Sequence, residues 1–267
     1  MPSFEEVLST ITFARTYFPS DLALDNKNWP IAHLWSLNVE EHSYVFLALI
    51  ALATRQVNRR WMTGALLLGS TALVWVTSYK YFVSPPKGPN LFFIRSECAS
   101  LGLLASATLR YIRNAFPSQV YARVPGVFPL LCIAIAFICV STYQYRGYHV
   151  TVAPLLLACA INFLDRVPEF VRRALSTRAL CRLGTCCFSL YLWQQPLHVL
   201  RMDYGMNPYL MFAAAIGIGM SSFYLFEDPV RKSLTSAWRK LRHIAVLNTS
   251  AVVHVAAGSG AIRLSDE

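Results

Sequence analysis

Charge is what this chain has least of: only 14% of its 267 residues are Asp, Glu, Lys or Arg, where soluble domains carry about a quarter. Together with a hydrophobic share of 55% and a mean hydropathy of +0.41, that scarcity places most of the chain in lipid. A second lack is that of a secretory leader. Glu5, Glu6, Asp21 and Asp25 stand where a basic segment and an apolar core would be needed, so no cleavable signal peptide is expected. The seven cysteines lack the spacing of a zinc site or a disulfide framework. They fall in or beside apolar segments, where cysteine packs as a small hydrophobe. There is no internal repeat and no pair of Gly/Pro-broken helices in corresponding halves, which argues against a transporter. No soluble domain interrupts the apolar segments.

What is present is apolar length. At about twenty residues per bilayer crossing, seven helices are predicted, at approximately Leu37–Thr54, Trp61–Tyr79, Leu91–Leu109, Val127–Tyr143, Tyr148–Leu164, Leu183–Leu200 and Pro208–Phe226. Trp and Tyr cluster at their ends, at the level where amphipathic rings meet headgroups. The fold class is therefore all-α, a polytopic transmembrane bundle of about seven helices.

The net charge of +10 is not gathered on one face, as a nucleic-acid surface requires, but falls in every second loop. Arg55, Arg59 and Arg60 follow the first helix, Arg110, Arg113 and Arg123 the third, and five arginines from Arg166 to Arg182 the fifth. The positive-inside rule then puts residues 1–36 outside, a transmembrane domain at 37–230, and residues 231–267 in the cytoplasm as a tail. Its last part, from about Asn248, reads as a loosely ordered appendage.

Polar residues inside apolar helices are the candidate site, because each costs about 2.5–3.5 kcal/mol near the bilayer centre and persists only with a reason. At 100° per residue Ser36, Glu40 and Ser43 share one stripe and His33 joins it, whereas Glu41 points elsewhere. The two adjacent carboxylates are thus not an acid/base dyad. Glu41 and His42 read as interfacial anchors. In the third helix Arg95 and Glu97, two residues apart, face nearly opposite sides, so Arg95 is expected to meet Glu40 across helices. In the sixth, Pro196 removes a backbone hydrogen bond beside Gln194, Gln195 and His198.

Four landmarks in order resemble the acyltransferase 3 family of membrane O-acyltransferases. His33-Leu-Trp35-Ser36-Leu-Asn-Val-Glu40-Glu41 is similar to its H-x-W-S-L-x-V-E-E element, and Arg95-Ser-Glu97 with Leu101-Gly102 to its R-x-D/E…L-G element. Leu183-Gly184 with Ser189-Leu-Tyr191-Leu-Trp193 and Pro196 resembles L-G…S-L-Y-L-W-H-x-P, and Glu227-Asp-Pro-Val-Arg231 resembles E-x-P-x-R. The departures are Gln194 where the family usually has His, Ser43 where an aromatic is common, and the lack of the helices that carry the family's Arg and catalytic His. The seven helices resemble the last seven of a ten-helix core, so a separate N-terminal fragment is an expected partner.

The resemblance implies transfer of an acyl group, usually acetyl, from acyl-CoA to a hydroxyl of lipopolysaccharide, exopolysaccharide or a related envelope glycan, at the inner membrane of a bacterium. No bound cofactor or metal is expected; acetyl-CoA is a co-substrate, and the partners are the donor, a glycan or glycolipid acceptor and the bilayer, not nucleic acid. Glu40, Arg95 and Ser36 are the implied catalytic residues. His33, Trp35, Glu97, Tyr191, Trp193 and Gln194 are implied in substrate binding, and His33 or His198 would have to stand in for the base. The alternative is an inactive, truncated family member that binds glycan or has no function.

Overall fold

A computed structural model describes residues 4–17, 32–55, 60–84, 94–116, 121, 123–141 and 146–240. These residues form helices and turns, with no strand among them. The appendage expected from Asn248 onward lies outside the described residues. The chain divides into two compact units, Met1–Leu183 and Gly184–Glu267.

The first unit opens with α1 (Phe4–Ile11), a helix not foreseen in the segment assigned to the exterior. Phe4, Leu8 and Ile11 lie one turn apart along its exposed side. The stretch at His33 becomes a 3₁₀ turn, Ala32–Leu34, leading into α2 (Trp35–Arg55), which is followed by α3 (Arg60–Val83). The third predicted span is broken. α4 (Ser96–Ala99) and α5 (Leu101–Ala115) meet at Ser100, whose ψ of −5° flattens the helical path. α6 (Phe128–Ser141) comes next. The fifth span is broken as well, into α7 (Arg146–Thr151) and α8 (Ala153–Asn162). Pro154 explains this break, since its ring lacks an N–H and collides with the carbonyl one turn back, yet suits the first turn of a new helix.

Packing around α6 is inside-out relative to a soluble protein. α6 buries only Pro129, Cys132 and Ala136, while Leu131, Ile133, Ile135, Phe137, Ile138 and Val140 are exposed. α8, against which α6 packs, buries Ala153, Ala158 and Ala160. Small residues let backbones approach where no hydrophobic force drives helices together, and large apolar ones meet lipid tails. Polar side chains bridge the helices. Thr71 and Thr108 hydroxyls lie 2.8 Å apart between α3 and α5, and Asn162 donates to the Ser106 hydroxyl at 2.9 Å between α8 and α5.

A 3₁₀ turn (Leu164–Arg166), α9 (Glu169–Leu175) and α10 (Arg178–Thr185) fill the basic loop, where no helix was expected. The second unit is a helical hairpin. α11 (Cys187–Tyr204) begins later than the predicted Leu183 and runs through Pro196. It ends on Gly205, at φ +62°, a left-handed position that glycine occupies without steric penalty. Two residues on, the Asn207 side chain accepts from the Tyr209 and Leu210 amides and Pro208 opens α12 (Pro208–Ser222). The helix continues through a π turn at Phe223–Glu227 as far as Lys240, so part of the predicted tail is helical. Arg60–Val83 and Pro208–Lys240, of 24 and 33 residues, are long and apolar enough to cross a membrane.

Candidate functional site

The polar cluster of the first unit is built from three stretches of chain. Phe13 adopts φ +58° just after α1, a backbone conformation disfavoured for a bulky residue. The chain reverses there and Tyr17 reaches α4. Its hydroxyl donates to Glu97 Oε2 at 2.7 Å. Burial, and then the hydrogen bond to Glu97, raise the Tyr17 pKa above its ordinary value, so the phenol is the donor. The Arg95 guanidinium lies 5.3 Å from the centre of the Tyr17 ring, within cation–π range.

Arg95 does not meet Glu40 as expected. Its Nε is 2.6 Å from Glu97 Oε1. The expectation assumed that both residues were helical. Arg95 instead precedes α4 in extended conformation, at φ −74° and ψ 141°, so the rule that i and i+2 diverge does not hold for it. Nε has no hydrogen bond despite the distance, and the contact is an ion pair only. Glu97 is therefore the hub, with one oxygen toward Arg95 and the other accepting from Tyr17.

His42 also departs from its sequence reading as an anchor. It is half-buried, with Nδ1 2.7 Å from the Ser96 hydroxyl and its ring 5.9 Å from that of Tyr17. Asn38, His42 and Phe46 follow one another at one-turn spacing on α2, from buried through half-buried to exposed at the cleft, adjacent to buried Val39, Ser43 and Ile50. Neither Tyr17 nor His42 was among the expected site residues. The i, i+4 spacing of Asn38, His42 and Phe46 is a signal that could have drawn attention to His42. Nothing periodic marks Tyr17.

The expected stripe on α2 is only partly realised. Ser36 and Glu40 are half-buried and Ser43 is buried, while Glu41 is exposed, so the separation of the two carboxylates stands. Ser43 donates to its own helix, at the Val39 carbonyl, 2.7 Å away. Glu40 accepts from Tyr44 one turn on. His33 and Trp35 are half-buried at the start of this helix. A cleft of 330 Å³ opens between α2, α3 and α4, with His42, Ser96 and Glu97 supplying its polar rim and Phe46, Leu73 and Leu104 its apolar wall.

In the second unit Tyr191 is half-buried, whereas Trp193, Gln194 and His198 are exposed. Two of the four landmarks are joined here. Ser189, 2% exposed, donates to Glu227 Oε2 at 2.5 Å. The π turn carries Glu227 on its last residue, and such local widenings recur at functional sites. Asp228 holds Lys232 at 2.6 Å and Arg231 at 3.2 Å. Among the described residues no group of His, Cys, Asp and Glu has the arrangement of a metal site.

A family profile described as an acyltransferase domain matches residues 6–226. The chain is similar to peptidoglycan O-acetyltransferase OatA of Listeria monocytogenes serovar 1/2a, at 25% identity over 229 residues, which cover 76% of this chain and 36% of that protein. It is similar also to the putative peptidoglycan O-acetyltransferase YrhL of Bacillus subtilis strain 168, at 24% identity over 187 residues, 64% of this chain and 29% of the relative. The chain thus spans about a third of the length of these relatives. No solved structure matches it. The profile match extends over most of the chain, includes the first three landmarks and ends at residue 226, just before the fourth; this chain belongs to the acyltransferase 3 family.

Proposed function

We propose that this chain carries the acceptor-side site of a membrane O-acetyltransferase that moves an acetyl group from acetyl-CoA to a hydroxyl of an envelope glycan. Both relatives are named for peptidoglycan, which makes it the first acceptor to test. The observation that carries the reading is the Tyr17, His42, Arg95, Ser96 and Glu97 cluster, of which His42, Ser96 and Glu97 line an apolar cleft.

Ester formation needs three things of such a site. The acceptor oxygen must lose its proton as it bonds to the thioester carbonyl carbon, the carbonyl oxygen must be stabilised as it gains charge, and the C–S bond must break to release the thiol. His42 is the imidazole placed to take the proton, directly or through Ser96, and to return it to the departing sulfur. Arg95, braced by Glu97 and Tyr17, is the cation placed for the oxyanion. Glu40 and Ser36, read from sequence as catalytic, and His33 and Trp35, read as substrate-binding, are assigned to positioning the acceptor at the start of α2; Tyr191, Trp193 and Gln194, in the second unit, keep their reading as substrate-binding residues.

Glycan esters counted by mass spectrometry, in cells that express the natural protein containing this chain, test the assignment. His42→Asn and Arg95→Ala are each expected to lower acetylation by roughly 10²-fold or more, with the protein still inserted. Unchanged acetylation in both variants rejects the site.

A further inference from the structure

A second cleft, of 530 Å³, lies at the other end of α5, between that helix and the end of α8. Its lining includes Arg110, Arg113, Ser106, Asn162 and Asp165, and its chemistry differs from that of the first cleft. Arg113 is held rigidly: its guanidinium sits 4.9 Å from the centre of the Phe163 ring and 5.8 Å from that of Tyr121, and its side chain is only 15% exposed. Two parallel hydrogen bonds, of 3.2 and 3.1 Å, run from it to Asp165. Asp165 is also 3.9 Å from Arg166, so one carboxylate serves two guanidiniums. Arg110 makes no ion pair among the described residues, which leaves this corner of the fold with three cations and one anion. Ser106 accepts from Asn162 through its oxygen and so retains an O–H to donate.

We infer that this cleft binds a phosphate-bearing ligand, with Arg110 forking its oxygens, Arg113 adding its charge and the N–H groups that its fork to Asp165 leaves over, and Ser106 donating a further hydrogen bond. Guanidinium planes match phosphate oxygens in pairs, and a cation pre-set by aromatic packing loses little freedom on binding. Positive charge left uncompensated beside low-dielectric walls attracts anions. The basic loops on either side, at Arg110–Arg123 and Arg166–Arg182, set this end on the cytoplasmic side by the charge rule. Two sources present phosphate there: the nucleotide end of a soluble acyl thioester and the headgroup of an anionic lipid. The first rests on the acetyl-transfer reading proposed above; the second does not.

The test uses the full chain in nanodiscs of zwitterionic lipid, titrated with coenzyme A, and native mass spectrometry of the same protein extracted from membranes containing phosphatidylglycerol. Arg110→Ala, which removes an exposed side chain, and Arg113→Lys, which keeps the charge and loses the fork, are each expected to weaken coenzyme A binding at least about tenfold. Lys240→Ala, a charge control on the other unit, is expected to leave it unchanged. If coenzyme A does not bind but Arg110→Ala strips retained phosphatidylglycerol, the site stands with a lipid as its ligand. Should neither ligand respond to either arginine, or should Lys240→Ala have the same effect as Arg110→Ala, the inference is overturned. A protein that binds coenzyme A through Arg110 but transfers no acetyl would sink the transferase reading and leave this one intact.

Discussion

Glu97 decides the geometry of the candidate site, because its two oxygens are committed to different partners. One fixes Arg95 and the other accepts from Tyr17, so neither the cation nor the phenol is free to turn away from the cleft. The raised pKa of Tyr17 has a definite sign. A group whose folded value lies above its unfolded one contributes fully below the unfolded pKa and loses that contribution as pH rises through the folded one. The Tyr17 bond to Glu97 is therefore intact at neutral pH and is lost only in the alkaline range, above the ordinary value of 10.0. An ultraviolet titration of the protein minus that of Tyr17→Phe should show a single phenol ionising above pH 10.0. A difference component that titrates at or below that value would contradict the hydrogen bond. Tyr17 is also where sequence reasoning had least to work with. It stands 80 residues from Glu97, in a turn with no periodic pattern to mark a buried face. Arg95, by contrast, was singled out from sequence but not as a partner of Glu97, since the flanking apolar run suggested a helix that in fact begins at Ser96.

Among the elements, the hairpin of the second unit depends on a single close approach. A β-carbon built on Gly219 would lie 2.8 Å from Leu190 Cδ2 and 2.9 Å from Leu190 Cα, and the backbone atom cannot be moved by a rotamer change. Gly219→Ala is therefore expected to prise α11 from α12 at a cost of about 1–3 kcal/mol, seen as a lower melting temperature in detergent. An unchanged melting temperature would mean that the helices do not pack at this depth. The same displacement would stretch the Ser189 bond to Glu227, which ties the third landmark to the fourth. Helix positions were largely readable from apolar length, and the turn at Gly205, Asn207 and Pro208 from its residue types. Helix breaks were harder. Pro154 explains one, but at Ser100, where α4 packs against α2 and α3, no breaker residue stands to mark the bend.

For the molecule as a whole, large apolar side chains are exposed in both units, and around α6 and α8 it is small residues that face inward. Ala153, Ala158, Ala160 and Cys132 are buried while Phe137, Leu210 and Phe212 are exposed. That arrangement suits a lipid solvent, in which polar groups have nowhere to go but toward each other. The two clefts described in the first unit differ in chemistry, as the proposed transfer would use. One has an apolar wall with a His, Ser and Glu rim, and the other is lined by arginines. The central claim, that the chain serves acetyl transfer to a glycan, is tested most directly by supplying acetyl-CoA labelled in its acetyl group. The label would be given to the cytoplasmic face of membrane vesicles that contain the natural protein and peptidoglycan. Alkali-labile label in the glycan, lost with Arg95→Ala, is the predicted result. Glycan that gains no label, or gains it equally with Arg95→Ala, would contradict the account.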